Sequence, residues 1–198
     1  MKTTKALLLT TCAILVMAPA AHATLVVNSD QTANDLVNAL LSGSSGITVS
    51  NAHISGDSSG LQNGIFSGGN SANLGFDSGI VLSSGDVSAL PLDSSGSNDG
   101  ADTRFGDGGD AKLDALVSGG TNDASVLSFD FVPTGNQITF QYVFGSTEYN
   151  YYVNSQYNDV FAFFVNDVNK ALVPNTDIPV AINNGNCGQN NCHATSGS

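Results

Sequence analysis

The stretch FGSTEYNYYVNSQYNDVFAFFVN, residues 144–166, holds the chain's single glutamate and four of its five tyrosines. Glu148 and Asp159 are the residues here that can do ionic chemistry. If a strand ending at Phe144 and one opening at Asn158-Asp159 belong to the same sheet, both carboxylates reach one sheet end. Two anions held there repel unless a cation or a proton sits between them. Hard carboxylate oxygens suit calcium, with Asn158 and main-chain carbonyls as further ligands and Asp130, Asp107 or Asp110 as a third acid. The plainer reading is that Glu148 caps a turn through backbone N–H groups. The same two carboxylates are also the minimum for a glycoside hydrolase, where their separation decides inverting from retaining chemistry. Neither a second acidic pair nor a Trp platform accompanies them.

Tyr149, Tyr151, Tyr152 and Tyr157 fall in the connection between those two strands. Amphipathic rings on a loop suit contact with sugar faces or with a protein partner. They equally suit a lid folded over the end of the core, and the sequence leaves both readings standing. Cys187 and Cys192 are spaced C-x4-C in NNGNCGQNNCHATSGS. In an oxidising compartment such a pair is expected to close a local disulfide, worth about 2 kcal/mol for so small a ring. Zinc held with His193 would lack a fourth ligand. A serine or cysteine hydrolase is poorly served, since His53 and His193 sit in Ser/Asn-rich contexts and G-x-S-x-G does not occur.

The compartment follows from the N-terminus. Lys2 and Lys5 precede an apolar run over residues 6–18 and the small-residue site Ala21-His22-Ala23. That order predicts a signal peptide over residues 1–23, cleaved after Ala23 and too short to span a membrane. Cys12 lies inside the apolar run, which argues against a lipid anchor there. Residues 24–198 are long enough for one domain with its own core. They carry Arg104, Lys112 and Lys170 against all seventeen acids. Nucleic acid and anionic membrane surfaces, both bound through clustered cations, are therefore poor partners. Extracellular polysaccharide or a surface protein is the expected partner class; the oligomeric state is not encoded legibly.

The positioning elements are strands. Leu36, Val37, Leu40 and Leu41 recur at helical spacing within residues 31–41, with Thr32 or Asn34 as cap, and a further helical turn is expected at 111–116. After that the period is two: GITVSNAHISG, GIFSGG and LGFDSGIVLSSG are short strands between Gly, Ser and Asn clusters. PLDSSGSNDGADTRFGDGGDAKLDAL reads as a long surface loop, lacking the ligand spacing of an EF-hand or the repetition of calcium-binding nonapeptides. SVLSFDFVP and ITFQYVF, joined by the turn Pro133-Thr-Gly-Asn136, predict an antiparallel hairpin. DVFAFFV is apolar on both faces and predicts a central strand, followed by a turn at 166–169. The fold class expected is all-β, an antiparallel sandwich of jelly-roll character with one short N-terminal helix.

The series LGFDSGIVLSSG, GDAKLDAL, DASVLSFDFVPTGNQITFQYVFGSTEY and NDVFAFFVNDVNKALVP resembles the choice-of-anchor L domain of bacterial surface proteins, over about residues 36–182. The resemblance implies an exported domain held at the surface of a Gram-negative cell, often through a PEP-CTERM sorting signal. It implies no established catalytic activity; a surface adhesion or matrix-interaction module accounts for it together with the signal peptide, the acidic charge and the lack of catalytic clusters. It also implies further strands and an anchor after the last residues here, so that a C-terminally incomplete domain is expected.

Overall fold

The computed structural model describes residues 24–41, 46–90, 103–147 and 152–184. Their order is β1 (Val26–Ser29), α1 (Ala33–Leu40), β2 (Ile47–Ser55), β3 (Asn63–Ser67), β4 (Ser78–Leu82), α2 (Ala111–Asp114), β5 (Val126–Pro133), β6 (Val160–Phe161), β7 (Phe164–Val165), β8 (Val168–Asn169) and β9 (Val180–Ala181). Every ladder between these strands is antiparallel, so the all-β expectation holds. None of the described helices is long and apolar enough to cross a membrane.

α1 forms where the apolar spacing placed it. The Thr32 hydroxyl accepts the Asp35 N–H, satisfying a donor that the first helical turn would otherwise leave unpaired. The buried face is Leu36 and Val37, and it packs on β2, β3 and β4. β1, β3 and β4 make a three-stranded sheet with β3 in the middle. Phe66 of β3 lies opposite Gly79 of β4, where an added Cβ would come within 3.2 Å of the Phe66 ring. Gly79 thus leaves room for that ring, which also meets Phe76 at 5.9 Å. Leu36, Val37, Phe66 and Val87 are core residues of the N-terminal half; Ala171, Val180, Ala181 and Ile182 are core residues of the C-terminal part.

Two strand expectations are corrected. β5 has the alternation foreseen, with Leu127, Phe129 and Phe131 half-buried and Ser128 and Asp130 exposed. Its partner, however, is β2 and not residues 138–144. The ladder runs from Ser55 opposite Val126 to Ile47 opposite Pro133, and Thr134 N–H extends it to Gly46 O. Residues 138–144 form no strand; their aromatic face is met by rings instead. Phe140 stacks on Phe163 at 4.2 Å and Tyr142 meets Phe161 at 4.9 Å with the rings tilted by 37°, so this segment runs antiparallel to residues 161–163.

The second correction concerns DVFAFFV, which is two short strands rather than one. β6 pairs with β9, while β7 pairs with β8. The Asn169 side chain causes the break: its Oδ1 accepts the Phe163 N–H at 3.1 Å, where a continuing strand would have used a backbone carbonyl. The turn expected after β7 is present as a two-residue hairpin loop, with Asn166 and Asp167 both at positive φ, 50° and 64°. Asn and Asp tolerate that left-handed conformation better than other non-glycine residues, and it matches the strand twist.

Candidate functional site

β6, β9 and the connection before β6 make one hydrogen-bonded unit. Its centre is Asn183, just past β9. The Asn183 Oδ1 accepts the Asn154 N–H at 2.6 Å, and Nδ2 donates to Ser155 O at 3.0 Å. The Asn183 N–H in turn donates to Asn158 Oδ1 at 2.9 Å, and Ile182 N–H to Asp159 O at 3.0 Å. Asn154 holds the loop's reversal at φ 67°, a conformation Asn tolerates. Asn183 therefore holds both ends of the loop spanning 154–158, the first through its side-chain amide and the second through its backbone N–H.

That loop and the turn just before it present two of the four expected tyrosines. Tyr152 and Tyr157 meet edge to face, ring centroids 5.2 Å apart and planes at 73°. Both are exposed, at 40% and 44%. Asp159 follows directly, with its carboxylate at the surface and one oxygen accepting the Ser146 hydroxyl at 2.7 Å. Glu148, Tyr149 and Tyr151 lie outside the described residues, as do Cys187, Cys192 and the signal peptide.

The remaining acids named from the sequence each serve a separate bond. Asp130 accepts Asn51 Nδ2 at 2.6 Å, where Asn51 occupies the bulge of β2 at φ 55°. Asp107 accepts the N–H and the hydroxyl of Ser58. Asp110 caps α2 through the N–H groups of Lys112 and Leu113. Among the described residues, His, Cys, Asp and Glu form no group of three able to hold a metal ion.

A buried polar junction was not foreseen. Asp57 gathers the N–H groups of Gly60 and Gln62 and the Asn63 amide. Gln62 is fully buried and donates to Asp123 O at 2.7 Å, and Asp123 Oδ1 accepts the Asp107 N–H. These bonds tie the turn before β3 to the loop after α2. An Asx-turn reading of Asp57-Ser-Ser-Gly could have found the first of them; the long-range ones carry no local signal.

On the surface, Lys112 pairs with Asp167 of the β7–β8 turn and lies 5.6 Å from the Phe164 ring centroid. The hydrogen bond to Asp167 raises the Lys112 pKa and correspondingly lowers that of Asp167. An apolar groove of about 660 Å3 runs between the two halves of the chain, lined by Leu74, Phe76, Phe140, Tyr142, Val173 and Val180 among others. Its lining contains no Asp, Glu, His, Lys or Arg, so it offers none of the paired carboxylates that glycoside hydrolysis requires.

No curated protein and no solved structure matches the chain. The model of one family does, the choice-of-anchor L domain, over residues 25–197. A match of that extent covers the antiparallel ladders, the tyrosine loop and Asn183 together. The chain belongs to the choice-of-anchor L domain family, exported and surface-associated modules that are not a known enzyme family.

Proposed function

We propose that this protein is a non-catalytic adhesion module of the cell surface or extracellular matrix that contacts polysaccharide through Tyr152 and Tyr157. The observation that carries the reading is the exposed edge-to-face pair on a loop clamped by Asn183. Large rigid rings with a polar tip supply contact area at low entropic cost, and pre-clamping the loop removes part of the ordering cost of binding. The sequence order at the N-terminus supports export, and a Cys187–Cys192 disulfide belongs to the same proposal; both are checked by intact mass and thiol labelling of secreted protein.

Calcium enters the proposal at Glu148 and Asp159 only; Asp107, Asp110 and Asp130 serve bonds on other elements of the chain. A cation there would stiffen the end of the loop from which the tyrosines project. A ligand bound only by the folded state stabilises it by roughly 2.7 kcal/mol at a hundredfold excess over Kd. The test joins two readouts on bacterial exopolysaccharide: retention of the protein and release of reducing sugar. Retention without release, with a melting midpoint that calcium raises in the wild type but not in Asp159→Asn, supports the proposal. Sugar release abolished by Glu148→Gln would replace it with the glycosidase reading. Retention of the protein on surface proteins alone would transfer the site to a protein partner.

A further inference from the structure

Resting on that reading, we infer that the polymer held at the Tyr152–Tyr157 loop carries free amino groups, a cationic amino-sugar chain rather than an anionic one. The sequence from Leu113 to Asn169 contains no Lys, Arg or His, and the tyrosine loop lies within it. Of the two lysines that border that stretch, Lys112 is engaged with Asp167 and Lys170 lies beside Phe140, Tyr142 and Phe163 rather than in the tyrosine loop. No cation in this segment is therefore offered to a carboxylated or sulfated sugar. The Asp159 carboxylate, by contrast, is exposed one residue beyond Asn158, which Asn183 joins to the loop; one oxygen accepts the Ser146 hydroxyl, and without calcium the group is an anion open to an ammonium group.

The remainder of the molecule points the same way. Seventeen acids against five Lys and Arg produce a negative field over the surface. At physiological ionic strength that field reaches about 8 Å, so it draws a polycation towards the protein and repels a polyanion. At contact, an ammonium group over the face of Tyr152 or Tyr157 gains cation–π attraction, while the sugar's C–H face packs on the neighbouring ring. Rings and charge thus select one ligand class together: the rings favour a pyranose polymer, and the charge favours one bearing ammonium groups.

The experiment is co-sedimentation of the full chain in chelator, at a mildly acidic pH where the amines of chitosan are protonated, with four polysaccharides: chitosan, the same backbone fully N-acetylated, a neutral β-glucan and alginate. Chitosan should bind best, and N-acetylation or a rise from about 0.05 to 0.5 M salt should weaken binding about tenfold or more. Replacing both tyrosines by alanine should cost about tenfold, whereas Tyr152→Phe with Tyr157→Phe, which keep the rings, should bind as the wild type does. Tyrosine-dependent binding that is equal on the acetylated polymer, or strongest on alginate, overturns the amino-group inference and leaves the polysaccharide reading intact. Chitosan binding indifferent to both tyrosine variants is non-specific charge attraction and also overturns it. The absence of tyrosine-dependent binding to any of the four overturns the inference and the proposed function together.

Discussion

The side chain of Asn183 accepts the backbone N–H of Asn154 at 2.6 Å, tying the tyrosine loop to the end of β9. The same amide donates to Ser155 O, so Asn183→Ala removes two loop bonds at once. At about 1 kcal/mol per bond, the loss should be about 2 kcal/mol at most, because the freed groups can reach water. The more sensitive readout is local: chymotrypsin should cut beside Tyr152 and Tyr157 faster in the variant than in the wild type. Equal cleavage rates would mean that the loop does not depend on this clamp.

Gln62 bears a heavier structural load. It is fully buried, and its Nε2 bridges Asp123 O and Ser83 O, joining the strand β3 region to two separate loops. Gln62→Leu strands both carbonyls and should lower unfolding free energy by about 2 kcal/mol. Urea denaturation should show this as a lower midpoint at unchanged slope. An unchanged midpoint would show that these carbonyls find other donors.

The Lys112–Asp167 pair makes a prediction about pH. Its hydrogen bond lowers the Asp167 pKa from 3.8 and raises that of Lys112 from 10.5. The contribution of Asp167 is present above its unfolded value and lost as pH falls through the lowered folded one. The contribution of Lys112 is present below its unfolded value and lost as pH rises through the raised folded one. Between pH 5 and 9 the pair is therefore constant, and exposure with solvent screening makes it weak. Thermal melts of Asp167→Asn and wild type should differ by a small constant across that range, since Asn also tolerates the positive φ at 167. A gap that widens within the range would require another titrating partner.

Much of the framework is legible in the sequence because its signals are local. Thr32 before an apolar face at helical spacing specifies α1, alternation specifies β5, and Asn166-Asp167 specifies the tight turn. Pairing is not local. Pro133-Thr-Gly-Asn136 argues for a hairpin between residues 127–133 and 138–144, yet β5 reaches back to β2, from which a helix and two strands of another sheet separate it. Side-chain amides conceal the rest. Asn169 interrupts DVFAFFV and Asn183 clamps the tyrosine loop, but in a chain rich in Asn and Ser neither residue differs in type or spacing from its solvated neighbours.

The chain contains tyrosine but no tryptophan, so its intrinsic fluorescence reports on the tyrosines. Titration with exopolysaccharide, followed by that emission, tests the contact directly. A saturable change is expected in the wild type, at the concentration where the protein is also retained on the polymer. It should be largely lost when Tyr152 and Tyr157 are both replaced by phenylalanine, even though that variant still binds. Retention of the wild type with no change in emission, or an undiminished change in the double variant, would contradict the assignment of these two tyrosines as the contact surface.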